Sequence, residues 1–364
     1  MAENKLENWP IVSTDAHTTT ENISTTSLST KDTLLGKSVF DKYVITQKLG
    51  GGSFGRVYLA ESRKTGKSDK VAVKVESNDI KYPQLEIEYH ILSRLKHDYF
   101  PKAVAWQSAR TTESNRRELH QNLNMMAMEL MGPNLYDLKL YCGNRFSLKT
   151  CLMLFDQMID IMECLHDHQF IHRDVKPQNF VMGRSGELMN RLYIIDFGFA
   201  KRIDKTSCSI YTKQKKYKES ITVEDSKRVF IGTPVYASLA MHKNIQIEKM
   251  DDIESCLYVI VQLLKGSLPW DNVVRTNKMT KKEWYIQIAK VKNYGFKYIM
   301  GCGMSGFRKM LNHIRKANLE LRRQPDYEFF RNVVQSIMKN KNLEYDYQYD
   351  WYKKRNRKSI KRRN

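Results

Sequence analysis

Apolar residues occur first in short runs and later at helical spacing. Residues 43–49, 58–60 and 71–75 form β-rich runs separated by short polar or glycine-containing connections. Runs of this kind predict neighbouring strands of an antiparallel meander. Two more strands are predicted at residues 103–106 and 124–129.

The helical spacing begins with residues 83–95, where Pro83 stands near the start. A long amphipathic helix is predicted from Leu148 to Leu165, with Ser147 as its N-cap. Beyond residue 250 the spacing is again mostly helical. A small β-rich part is therefore followed by a larger α-rich part, with the joint near residues 129–133, and we expect an α+β fold.

Composition narrows the class of protein. The chain has 364 residues, of which 41% are hydrophobic, as in globular proteins. It contains no run of about 18 uncharged apolar residues, so we expect no membrane span. The first ten residues mix Glu3, Lys5 and Glu7 with few apolar residues, so we expect no secretory signal. Six scattered cysteines favour a reducing cytosol or nucleus, without a zinc site or disulfide framework. We interpret His166 and His168 as surface histidines rather than metal ligands.

The formal net charge of +21 is unevenly distributed. A Ser/Thr-rich leader, residues 1–36, carries −3 and is predicted to be disordered. The end of the chain, residues 351–364, carries +8. This basic tail (352–364) suits either a solvated segment or an import or nucleic-acid-binding segment.

Two motifs in the β-rich part suit phosphate binding. Glycines at 50, 52 and 55, followed by Val57, join two predicted strands; their backbone N–H groups can approach phosphate oxygens. The connection of strand to strand counts against a dinucleotide-binding fold. About twenty residues later, Lys74 stands in an apolar strand, where an ammonium group requires anions. Glu88 is its natural counter-ion, and Glu86 competes for that role.

Two motifs in the α-rich part carry further polar groups. Asp174, Lys176 and Asn179 place an anion, a cation and a neutral oxygen ligand within six residues. Such a loop can hold a hydroxyl nucleophile, a phosphoryl group and a metal ion together. Asp196 directly follows an apolar strand and precedes Phe197 and Gly198, a setting that suits a hard cation.

In this order the four motifs resemble those of the eukaryotic protein kinases. The resemblance implies a bilobal α+β fold over residues 37–351, with a β-rich N-lobe containing one main helix (37–131) and a larger helical C-lobe (132–351). It implies ATP and Mg²⁺ as cofactors. Asp174 would orient the substrate hydroxyl and Lys176 would stabilise the γ-phosphoryl charge. Lys74, paired with Glu88, would bind the α- and β-phosphates, and the metal ligands would be Asn179 and Asp196.

The resemblance also implies the residues that surround ATP. Met128 would be the gatekeeper, although strand packing alone also accounts for Met125, Met126 and Met128. The remaining residues come from the glycine loop, the lysine strand and the hinge: Leu49, Gly50, Gly51, Gly52, Ser53, Phe54, Gly55, Arg56, Val57, Ala72, Glu129 and Met131.

Further residues resemble the casein kinase I branch, although the tau-tubulin kinase subgroup shares several of them. The usual Ala-Pro-Glu at the end of the activation segment is missing, and Ser238-Leu-Ala240 stands there instead. Lys176 implies serine/threonine specificity. The other matching segments are residues 83–85, 130–135, 146–150, 156–159, 170–180, 236–238, 251–255, 266–270, 325–327 and 345–347.

The basic activation segment, residues 201–230, suggests protein substrates with acidic or phosphorylated segments. Val235 stands where the branch commonly has arginine, so Lys218, Lys281 and Lys282 are the candidates for binding the substrate anion. We expect an active monomer in the cytosol or nucleus. The alternatives are a kinase-like scaffold (pseudokinase) and, from charge alone, a nucleic-acid-binding protein.

Overall fold

The structure, a computed structural model, describes residues 34–52, 55–64, 66–80, 83–109, 122–203, 230–245, 247–299, 305–319 and 324–353. Most of the predicted leader, nearly all of the basic tail and most of the activation segment lie outside these residues, as do Ser53, Phe54 and Lys218. The described residues form two compact units. The first runs up to Pro133 and includes 182–189 and 195–198; the second comprises 134–181, 190–194 and the residues from Phe199 onward.

The first unit is built on a six-stranded sheet in which every neighbouring pair is antiparallel. The order is β1-β2-β3-β4-β6-β5. The predicted meander corresponds to β2, β3 and β4, and the two-residue β1 was not predicted. The strands are β1 (Ser38–Val39), β2 (Tyr43–Gly52), β3 (Gly55–Ser62), β4 (Gly66–Ser77), β5 (Ala103–Gln107) and β6 (Leu123–Glu129).

Strand alternation gives β4 two different faces. Val71, Val73 and Val75 enter a buried hydrophobic cluster with residues such as Met125. The opposite face therefore presents Ala72 and Lys74. One helix, α1 (Leu85–Leu92), accompanies the sheet and ends three residues before the predicted Leu95.

The second unit is mainly helical, and the predicted α+β division is confirmed. Ser147 caps α3 by accepting a hydrogen bond from the Thr150 amide, 3.3 Å away. The helix α5 is buried along nearly its whole length and packs with α8 around α3. The helices are α2 (Leu135–Tyr141), α3 (Leu148–Asp167), α4 (Leu239–His242), α5 (Lys249–Lys265), α6 (Lys281–Ile299), α7 (Ser305–Leu319) and α8 (Tyr327–Asn340).

Four short strands occur along the polar loops, and of these only the apolar strand before Asp196 was predicted. The strands β7 (Phe170–Ile171) and β10 (Lys201–Arg202) pair antiparallel, and β8 (Phe180–Met182) and β9 (Leu192–Ile194) form another two-stranded sheet. At two or three residues each, they are too short for an alternating pattern to be recognised in the sequence.

The end of the described chain packs onto the start of α3. Asp350 accepts a hydrogen bond from the Ser147 amide at 2.6 Å, and Lys149 forms an ion pair with Asp346 at 2.6 Å. The Trp351 ring meets Phe146 edge-on with centroids 5.4 Å apart. Within the described residues, no helix combines the length and apolar character needed to span a bilayer.

The interpretation of His166 as a surface histidine is wrong. Its side chain is fully buried, with Nδ1 2.7 Å from the Tyr327 hydroxyl and Nε2 3.1 Å from Asp252. The two polar partners, which are distant in sequence, allow the imidazole to be buried. His168, by contrast, is exposed.

Candidate active site

The glycine-rich segment is the hairpin between β2 and β3. Gly50, Gly51 and Gly52 pair with Val57, Arg56 and Gly55 respectively. Gly55 has φ +138°, and a Cβ there would lie 2.2 Å from the Val75 carbonyl oxygen. A side chain would therefore displace β4, which explains why this position requires glycine.

Strand register places several predicted nucleotide-binding residues on one face of the sheet. Val57 of β3 lies opposite Lys74 of β4, and Ala72 of β4 lies opposite Met128 of β6. Directly opposite residues share a face. Met128 therefore lies on the same face as Lys74, whereas Met125 belongs to the hydrophobic cluster on the other face.

Of the other predicted residues of the nucleotide set, Arg56 lies opposite Val75 and so on the other face, whereas Leu49, Glu129 and Met131 lie in β2, at the end of β6 and just after it. Leu49 is half-buried in β2. Glu129 ends β6, and its amide donates to the Lys102 carbonyl at 2.9 Å. Met131 follows half-buried, just before the Gly132 amide, which donates to the Met182 carbonyl at 2.8 Å.

Lys74 is held by two carboxylates of the first unit. Its Nζ lies 2.6 Å from Glu88 Oε2 and 2.9 Å from Asp196 Oδ1. The Glu88 side chain is 2% exposed, whereas that of Glu86 is 59% exposed and lies 4.0 Å from His90. The counter-ion of Lys74 on α1 is therefore Glu88, because the helix turns Glu86 towards solvent.

Burial and the neighbouring charges shift the pKa values of Lys74 and Glu88 in opposite directions. Burial lowers the pKa of Lys74, but the nearby Asp196 and Glu88 carboxylates outweigh it and hold the net pKa above the usual value. Burial raises the pKa of Glu88 to about 7 despite the lowering effect of Lys74. Lys74 is consequently a stable cation beside two carboxyl groups, of which Glu88 titrates near neutral pH.

Asp174 is the centre of the polar loop in the second unit. Its carboxylate accepts a hydrogen bond from Lys176 Nζ at 2.6 Å and from the Thr233 hydroxyl at 2.8 Å. The Asn179 side-chain nitrogen donates to the Asp174 carbonyl oxygen at 2.9 Å. Asp174 is thus a buried carboxylate with donors on both oxygens, which fixes its orientation.

The backbone before Asp174 is anchored by Asp252 of α5. Asp252 accepts hydrogen bonds from the amides of His172 at 2.7 Å and Arg173 at 2.9 Å. Arg173 has φ +67°, an unfavourable conformation for a residue with a side chain. Burial raises the pKa of Asp252, but hydrogen bonding from His166 and the backbone outweighs it, so the net pKa is lowered and the anion persists.

Asn179 and Asp196 belong to different units, so each is described separately. Asp196 has φ +70°, and its side chain is 24% exposed. Because the side-chain nitrogen of Asn179 donates to Asp174, its amide oxygen remains as the acceptor group. Carboxylate and amide oxygens are ligand types that Mg²⁺ accepts, so both residues fit the predicted metal.

Lys281 and Lys282 begin α6, and both are exposed.

Two residues that hold the polar loop around Asp174, Thr233 and Asp252, were not given a role from the sequence. A signal existed for Asp252, because an acid within an otherwise buried helix requires specific partners. Thr233 had no comparable signal.

Residues 43–322 match the family model of the protein kinase domain. The match covers more than half of the chain, and the chain belongs to the protein kinase family. Its fold is the α+β kinase fold, with a curled sheet in the N-terminal region and helices in the C-terminal region, and its class is that of phosphotransferases. This membership implies ATP use, typically with Mg²⁺, and protein substrates.

Proposed function

We propose that the protein is an active serine/threonine kinase of casein kinase I type, which transfers the γ-phosphoryl group of ATP to a serine or threonine hydroxyl. The observation that carries the proposal is the orientation of Asp174. Lys176 and Thr233 each donate to one of its carboxylate oxygens, at 2.6 and 2.8 Å. A buried carboxylate held this firmly suits a group that positions a hydroxyl and takes its proton.

In the proposed reaction the substrate hydroxyl oxygen forms a bond to the γ-phosphorus. The bond between that phosphorus and the β–γ bridging oxygen breaks, and ADP leaves with the bonding electrons. Asp174 accepts the hydroxyl proton. Lys176, whose Nζ lies 2.6 Å from the Asp174 carboxylate, neutralises charge that develops on the phosphoryl oxygens.

The cluster of the first unit binds the nucleotide. Lys74 binds the α- and β-phosphates, and Glu88 holds the ammonium group in place at 2.6 Å. Mg²⁺, when bound, would supply electrostatic neutralisation of the phosphates, and Asn179 and Asp196 would each contribute an oxygen ligand. The shared face of Val57, Ala72 and Met128 supports adenine binding next to Lys74.

The proposed assignment to the casein kinase I branch rests on the sequence. Lys176 supports serine/threonine specificity, and the missing Ala-Pro-Glu supports the casein kinase I type, with the tau-tubulin kinase subgroup as its neighbour. The exposed Lys281 and Lys282 support a preference for acidic or phosphorylated substrates. The third candidate for binding the substrate anion, Lys218, lies outside the described residues.

Matched peptides test this proposal. Three peptides of one acidic sequence, differing only in a central serine, threonine or tyrosine, are incubated with the protein and MgATP. We expect phosphorylation of the serine and threonine peptides, and a lower rate when the flanking acids are replaced by glutamines. Phosphorylation of the tyrosine peptide alone would contradict the specificity. Nucleotide binding without transfer to any peptide or to the protein itself would favour the scaffold alternative.

A further inference from the structure

A fully buried lysine lies beside the segment that contacts Asp174. Lys292 of α6 has 0% exposure. Its Nζ donates to the carbonyl oxygens of Pro234 at 2.7 Å and Ala237 at 2.6 Å. The segment 232–239, called here the recognition segment, includes both carbonyls. One side chain therefore joins two backbone positions three residues apart.

Backbone carbonyls, an imidazole and aromatic rings surround the amine. His242 Nε2 lies 3.1 Å away, and the rings of Tyr258 and Trp270 have centroids 5.0 and 5.3 Å from Nζ. Among the described residues, none of the direct contacts of Nζ is a carboxylate; Glu254 and Asp271 attract it from farther away. The amine is therefore held mainly by the hydrogen bonds that it donates, and not by an ion pair at the surface.

The contacts do not require the lysine to be charged. Burial lowers the pKa of Lys292 well below its usual value. Burial is the main cause that lowers the pKa of His242 to about 3, so the imidazole is neutral near physiological pH. A neutral amine still has two N–H donors, one for each carbonyl.

The recognition segment contacts the polar loop around Asp174 directly. Its Thr233 donates to Asp174 Oδ1 at 2.8 Å. Gly232 has φ +89°, and a Cβ there would lie 2.5 Å from the Arg173 carbonyl oxygen. The residue immediately after Thr233 is Pro234, which Lys292 holds. A shift of Pro234 would therefore change the hydrogen bond to Asp174.

The far end of the segment is held by a different buried group. The Leu239 amide donates to Glu254 at 3.3 Å, and Arg315 lies 3.4 Å from the same carboxylate oxygen. Ser238-Leu-Ala240 stands here in place of Ala-Pro-Glu. The carboxylate at this end thus comes from α5. The middle of the segment is held by Lys292, by Trp270, which donates to the Val235 carbonyl at 2.7 Å, and by the Tyr236 hydroxyl, which donates to Gln262 at 2.6 Å.

We propose that Lys292 is a positioning residue for phosphoryl transfer, which fixes the recognition segment so that Thr233 orients Asp174 and the substrate chain meets a preformed surface. This role rests on the proposed kinase function. We expect it to affect the peptide substrate rather than ATP, because the described contacts of Lys292 are with the recognition segment and neighbouring second-unit residues, whereas Lys74, the proposed ligand of the α- and β-phosphates, belongs to the first unit.

The test compares Lys292→Met with Lys290→Met, an exposed lysine two residues earlier on the same helix. For Lys292→Met we expect the peptide KM to rise about tenfold and kcat to fall, with the ATP KM within about twofold of wild type. Amide hydrogen exchange at 235–239 should become faster. Lys290→Met should behave as wild type. Unchanged peptide KM in folded Lys292→Met, or equal rises in the peptide and ATP KM values, would overturn the proposal.

A second variant covers the case in which Lys292→Met does not fold. Lys292→Gln keeps a polar head that ends one bond short, so it cannot reach both carbonyls together. We expect its peptide KM to rise at least about threefold with the ATP KM unchanged; a wild-type peptide KM would overturn the role. Hydrogen exchange reports on the segment without activity. A wild-type protein that transfers no phosphate would instead contradict the proposed function.

Discussion

A half-buried lysine in the first unit and a fully buried lysine in the second have different surroundings. Lys74 faces the carboxylates of Glu88 and Asp196 at 2.6 and 2.9 Å, and its net pKa is raised. Lys292 contacts carbonyl oxygens at 2.6 and 2.7 Å, and its pKa is lowered by burial. We propose that the first is the cation that binds phosphates and that the second is a donor that positions the backbone of the recognition segment.

Among the variants that compare the two lysines and their surroundings, replacement of Lys74 gives the largest effect. Lys74→Met should reduce kcat/KM at least about a hundredfold, because the charge that binds the phosphates is lost. Steady-state kinetics with varied ATP measure this. Lys70→Met, on the same strand and paired with Glu61 at 3.1 Å, is the matched control and should stay near wild type. Similar losses in both variants would show that the strand, not the cation, is required.

The next largest effect is expected at Asp252, which anchors the polar loop around Asp174. Asp252→Asn replaces a carboxylate that accepts from the His172 and Arg173 amides. We expect kcat to fall about tenfold to a hundredfold and the free energy of unfolding to fall by about 2 kcal/mol. Kinetics and urea unfolding measure the two effects. Asp326→Asn, which retains an N-cap acceptor on α8, should change neither quantity; a kcat at the control level in Asp252→Asn would contradict the anchoring role.

The Lys74 cluster should also make kcat/KM for ATP depend on pH. In the unfolded chain Glu88 releases its proton near 4.5, whereas burial raises its folded-state pKa to about 7. Its contribution to stability is therefore fully present below about pH 4.5 and is lost as the pH rises through 7. The ion pair with Lys74 follows the opposite course, because it needs ionised Glu88. We expect kcat/KM for ATP to rise between about pH 6 and 8 with a midpoint near 7.

Glu88→Gln provides the control for this profile. The variant should be less active and should lack the midpoint near pH 7. Glu86→Gln removes an exposed acid from the same helix and should keep the wild-type profile. A midpoint that persists in Glu88→Gln would assign the titration to another group.

The smallest effect is expected at the start of α6. Lys281→Ala/Lys282→Ala should raise the KM for an acidic peptide about twofold to fivefold at low salt, because exposed charges interact weakly. The KM for a matched neutral peptide should not change. Lys339→Ala/Lys341→Ala, which removes two exposed lysines near the end of α8, is the control. Equal effects of the two double variants would show that net charge, not this position, matters.

The sequence predicted those parts of the site that depend on local pattern. The strand around Lys74 and the helix that carries Glu88 follow from short-range periodicity. The choice between Glu88 and Glu86 came only with the structure, where Lys74 pairs with Glu88 and Glu86 is exposed. The Gly50–Gly55 hairpin was predicted for the same reason. The order of the kinase motifs then defined the fold class.

Long-range contacts could not be predicted in this way. Lys290 and Lys292 stand two residues apart in similar sequence, yet one is exposed and the other is fully buried. Lys292 is buried because it meets Pro234 and Ala237, more than fifty residues away. Likewise, His166 was interpreted as a surface residue because Tyr327 and Asp252 are distant in sequence.

The most direct test of the account compares wild type with Asp174→Asn. Transfer of labelled γ-phosphate from MgATP to an acidic serine peptide is measured alongside the Kd for MgATP. We predict transfer by the wild type, a loss of at least about a thousandfold in the variant, and an ATP Kd within about threefold of wild type. Equal transfer by both proteins, or none by the wild type with ATP bound, would contradict the assignment of Asp174 and of an active kinase.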